Sequence, residues 1–167
     1  KNIFIAELAD DNIKEITNNY INNNDTKLIE SISDYRLLGV QGDSKKRAQA
    51  IIISSGSELN ICINAASKLK EENIHVRVVS MPCIELFLSQ PKSYRQNVLP
   101  DIDNIMAVEA GVGDCWDKFV GKHGAKVVMN SFGLSAPGGQ VLKHFGFSEK
   151  NIIKQLKNLI KKNRKRK

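Results

Sequence analysis

The chain has 167 residues, 41% of them hydrophobic, and a formal net charge of +7. That length suffices for one domain with a real core, and no apolar run approaches the roughly 20 residues of a membrane span. Six of the positive charges, Lys161, Lys162, Arg164, Lys165, Arg166 and Lys167, fall in the last seven residues. The rest is near neutral, which argues against a nucleic-acid-binding body, and the basic end reads as a solvated tail. The three cysteines, Cys62, Cys83 and Cys115, are odd in number and widely spaced. They read as reduced thiols of a cytoplasmic protein, not as a disulfide frame or a zinc site. The chain opens on Lys1 and not Met, so a piece of a longer polypeptide is expected.

Ile3 to Ala6 is a short apolar run that can form a strand. Asp10 to Asp34 carries spaced apolar residues for two short helices, broken by Asn22-Asn23-Asn24-Asp25, since asparagine side chains compete with helical backbone bonds. Tyr35 to Leu38 is a brief extended piece, and Gly39 to Arg47 is a loop. Ala50 to Ile53, with three consecutive isoleucines, predicts a strand buried on both faces. After the turn Ser54-Ser55-Gly56-Ser57, residues Leu59, Cys62, Ile63, Ala66 and Leu69 share one helical face. Ser57 is placed to cap this helix with its hydroxyl, and Glu58 suits its positive end. His75 to Ser80 is the next strand, parallel to the first because a helix crosses between them.

Pro82 ends that strand. Ile84 to Leu88 suits a single helical turn, and Pro91 to Val98 a helix with proline in its first turn. Ile105 to Glu109 is a third strand, followed by a Gly111-Val112-Gly113 turn and a short helix over Trp116 to Val120. Lys126 to Met129 is a fourth strand. Ser131 to Gly139 is a loop and Gln140 to Phe145 a short helix. Ser148 caps a final helix whose apolar face is Ile152, Ile153, Leu156, Leu159 and Ile160. The expected fold is a three-layer αβα domain of the α/β class, with a mainly parallel sheet of four or five strands.

No motif in this pattern supplies a complete active site. The Ser54 to Glu58 turn lies between a strand end and a helix start, where free amides bind anions, so Ser55, Gly56 and Ser57 are weak anion-site candidates. No GxxxxGK[ST] loop accompanies them. Gly111 and Gly113 match the first two glycines of a dinucleotide fingerprint, but Trp116 stands where a third small residue is needed. His75, His123 and His144 lack metal-ligand spacing. Asp114 and Asp117 could gather near Glu109 at a strand end. Cys115 has no base placed beside it by sequence. No catalytic, cofactor-binding or metal-binding residue is assigned.

From Ala50 to Leu159 the chain resembles the C-terminal domain of transketolase. The resemblance rests on the GSE turn, RVVSMP, SYRQNVLP, AVEAG and FGLSAP, in this order. Residues 1–47 depart from the family pattern and are expected to hold the end of a preceding domain and an Asn-rich linker insertion. Residues 48–162 are the domain itself and 163–167 a basic tail. The resemblance implies a cytoplasmic, homodimeric enzyme that moves two-carbon ketol units between sugar phosphates in the pentose phosphate pathway. It implies thiamine diphosphate and magnesium or calcium in the full-length enzyme, held by preceding domains, and none in this fragment. Glu109 belongs to the AVEAG strand and is not the glutamate that activates the cofactor in the family. The fragment alone is expected to be inactive and to support the dimer or regulation. The alternative is an interaction or assembly module of another, split thiamine diphosphate enzyme, such as a 2-oxo acid dehydrogenase beta subunit.

Overall fold

The structure, a computed structural model, describes residues 39–41 and 47–166. The strand expected at Ile3 to Ala6, the two helices before Asp34 and the extended piece at Tyr35 to Leu38 lie outside the described residues.

Five strands form one sheet: β1 (Gly39–Gln41), β2 (Ala50–Ser54), β3 (Val76–Ser80), β4 (Ile105–Glu109) and β5 (Ala125–Val128). Their spatial order is β1-β3-β2-β4-β5. β2 pairs in parallel with β3, Ala50 opposite Val76, and with β4, Ile51 opposite Ile105. β4 pairs in parallel with β5. β1 is antiparallel to β3, with Gly39 opposite Ser80. This corrects the loop expected from Gly39 to Arg47, because its first three residues add an edge strand.

Side-chain alternation along the strands sends residues to opposite faces. Ala50, Ile52, Val78, Met106, Val108 and Val127 join one buried cluster. Ile51, Ile53, Val79, Ile105 and Ala107 join the other. The first face is covered by α1 (Glu58–Glu71) and by the final helix, α6 (Glu149–Arg164). The second is covered by α2 (Ile84–Ser89), α3 (Lys92–Val98) and α4 (Asp117–Val120), the last preceded by a 3-10 turn at Asp114–Trp116. A short α5 (Gly138–His144) lies between β5 and α6. Three layers and a mainly parallel sheet agree with the expected fold.

The caps divide. At α6 the Ser148 hydroxyl accepts a hydrogen bond from the Asn151 amide, as expected. Ser57 precedes α1 without any side-chain cap bond: its backbone is already helical, φ −66° and ψ −24°, and its hydroxyl donates to Glu58 Oε1 at 2.7 Å. An N-cap serine needs extended backbone to turn its oxygen back toward the helix amides. Pro91 sits at the N-cap of α3, one place before the first turn. The basic end is not wholly a tail, since Lys161, Lys162 and Arg164 ride on the last turn of α6.

Candidate functional site at the carboxyl edge of the sheet

The strand order reverses between β2 and β4. β3 lies on one side of β2, and the chain then crosses to lay β4 on the other. In open α/β sheets, ligand crevices form at the carboxyl ends of strands where the order reverses. Here that place is closed by a hydrogen bond. Ser55, just past β2, donates through Oγ to Glu109 Oε2 at the end of β4, at 2.6 Å.

The three anion-site candidates do come together at this edge. Gly56 takes φ +59°, a conformation that glycine adopts without steric cost, and lets the chain turn sharply into α1. Yet the two hydroxyls point at carboxylates, Ser55 at Glu109 and Ser57 at Glu58, and Glu58 is only 3% exposed. An anion arriving at the turn meets these two acids.

The other residues singled out do not converge on it. Asp117 pairs with Lys126 of β5 at 2.6 Å, whereas Glu109 faces Ser55, and Asp114 is exposed. Trp116 is buried, packed 6.0 Å from the Phe119 ring. It occupies the place at which the dinucleotide fingerprint requires a small residue. His144 packs edge-on against Phe145, and His123 Nδ1 lies 2.6 Å from Arg166. Cys115 is exposed. Cys62 is buried on the inner face of α1. Burial pushes its thiol up to about 12, Glu58 adds to the rise, and a hydrogen bond with Ser54 opposes it. Among the described residues, no group of three or more His, Cys, Asp or Glu could hold a metal ion. With two carboxylates and no such donor set at the edge, these residues do not fit a metal-bound diphosphate.

Two supports escaped sequence reading. Asn163 of α6 is buried, and its amide donates to the carbonyls of Asp103 and His123 and to Asn104 Oδ1 at 3.0–3.2 Å. It ties the last helix to the segments that lead into β4 and β5. Arg77 of β3 donates to the carbonyls of Asn97 and Val98, at 2.6 and 3.0 Å, and so holds the end of α3. Both partners lie far off in sequence, so no local pattern marks them.

The fold and this edge define a doubly wound α/β domain whose switch point is clasped by Ser55 and Glu109. The family model for the transketolase-like TK C-terminal domain matches residues 38–148. The chain belongs to this family. It is 47% identical over 120 residues to a transketolase of Buchnera aphidicola, covering 71% of this chain and 18% of that protein. To transketolase 1 of Pasteurella multocida it is 46% identical over 111 residues, covering 66% and 17%. Among solved structures, transketolase from Leishmania mexicana superposes with a TM-score of 0.67 at 40% identity, covering 74% of this chain and 18% of that one. The chain thus spans about a fifth of the length of the relatives it matches.

Proposed function

We propose that the chain is the C-terminal domain of a transketolase and serves the enzyme without carrying its chemistry. The observation behind this reading is the extent of the match: 47% identity, confined to 18% of the relative. On this reading the whole enzyme transfers two-carbon ketol units between sugar phosphates, is cytoplasmic and works as a homodimer. Thiamine diphosphate and a magnesium or calcium ion bind the preceding domains. Thiamine diphosphate supplies the carbanion of the transfer, and this domain contributes support and regulation. The boundaries are a preceding segment to residue 47, the domain over 48–162 and a basic end.

The Ser54 to Glu58 turn then acts as a structural clasp and not as an anion receptor. Replacing Gly56 with a bulky residue should destabilise the turn and leave an isotherm for inorganic phosphate unchanged. The main test is an assay of ketol transfer by the 167-residue chain supplied with thiamine diphosphate and magnesium. No turnover is expected. Turnover by this chain alone would refute the reading.

A further inference from the structure

We infer that the cleft between α2, α3 and α4 is a binding site for a small organic phosphate with an apolar body. The cleft is open to solvent and has a volume of about 550 Å³, on the face of the sheet opposite α1 and α6. That volume lies within the range of small-molecule sites, roughly 300–1,000 Å³. The inference rests on the cleft's own residues and is independent of the family.

Its floor is apolar: the half-buried Phe119, Leu99 and Ile102 line it, and Phe87 packs beneath, 5.8 Å from the Phe119 ring. Its rim is cationic. Lys92, Arg95, Lys118 and Lys122 line it, against two carboxylates, Asp101 and Asp103. Among the described residues none of these four cations makes an ion pair. Lys118 instead stands 5.5 Å over the Phe119 ring.

Arg95 carries the argument furthest. It is half-buried on α3 and lines the cleft, its Nε sealed from solvent. A guanidinium fork is also suited to binding phosphate oxygens in pairs. The Arg77 bonds to the end of α3 fix the helix that presents it. A ligand whose phosphate meets Arg95 and Lys122, and whose body lies on Phe119 and Leu99, would satisfy both halves of the cleft.

The test uses ADP as probe. It is titrated into the 167-residue chain, followed by calorimetry and by the emission of Trp116, the single tryptophan, whose ring lies 6.0 Å from Phe119. Saturable binding is expected, tighter for ADP than for pyrophosphate. Arg95→Gln and Lys122→Gln should each weaken it about tenfold or more, the effect of losing a charge-assisted hydrogen bond. Lys154→Gln, an equal charge change on exposed α6 across the sheet, should leave it unchanged. Lys122 is exposed, so its variant decides the matter if Arg95→Gln does not fold. No saturable binding by the parent chain overturns the site. So does equal weakening by Lys154→Gln and Lys122→Gln, which would reveal diffuse charge attraction. Equal affinity for ADP and pyrophosphate overturns the apolar half.

Discussion

Ser55 and Glu109 lie 54 positions apart, yet their 2.6 Å bond joins the ends of the two central strands β2 and β4. Ser55→Ala should lower stability by about 1 kcal/mol, the usual worth of such a bond, seen as a lower urea midpoint with unchanged slope. Cys62 gives a sharper test. Its thiol rises from 9.0 to about 12, mainly through burial. The neutral thiol is therefore favoured in the folded state. Its contribution is complete below pH 9 and declines as the pH climbs from 9 toward 12, where the unfolded chain ionises first. Cys62→Ala should make the alkaline fall in stability shallower. At pH 8, mass-resolved alkylation of the native chain should label Cys115, which is exposed, and spare Cys62. Sequence could show that Ser55 and Glu109 both end strands. It could not pair them, because strand order is a property of the whole sheet.

At the scale of elements, periodicity carried most of the reading. The isoleucine run of β2, the valines of β3 and the Ile-Met-Ala-Val of β4 announce strands buried on both faces, and the spacing on α1 and α6 announces their inner sides. What escaped was short or long-range. β1 has only three residues, too few for an alternation to declare itself. The Ser57 cap failed because its backbone stays helical, unlike the extended Ser148, and does not turn its oxygen toward the first-turn amides. The Asn163 tie is invisible in sequence because a lone asparagine on a helix normally faces water. Asn163→Leu should cost about 1–3 kcal/mol, since it removes the bonds of a buried amide to three acceptors, and amide exchange should quicken at the end of α6. Gly124 makes a steric case. A Cβ there would stand 2.3 Å from the Val120 carbonyl oxygen and 2.5 Å from that of Ile105. Both are backbone atoms that cannot swing aside. Gly124→Ala should cost on the order of 3 kcal/mol by overpacking, read as a lower thermal midpoint.

For the molecule as a whole, the family match ends at residue 148, while the fold continues through α6. Ile152 and Leu156 are fully buried and Leu159 nearly so, all within the cluster on one face of the sheet. At about 1.5–3 kcal/mol for each such side chain, their removal takes away much of a typical domain's total stability of about 5–15 kcal/mol. A chain cut after Ser148 should therefore bind a hydrophobic dye and lose its cooperative melt. This has a consequence for how the protein is made. Synthesis runs from the amino end, so α1 and every described strand leave the ribosome before the helix that completes their cover. Until residues 149–164 emerge, one flank of the nascent sheet is greasy and open, a natural client for a chaperone. Folding of this domain is settled only when its last helix arrives.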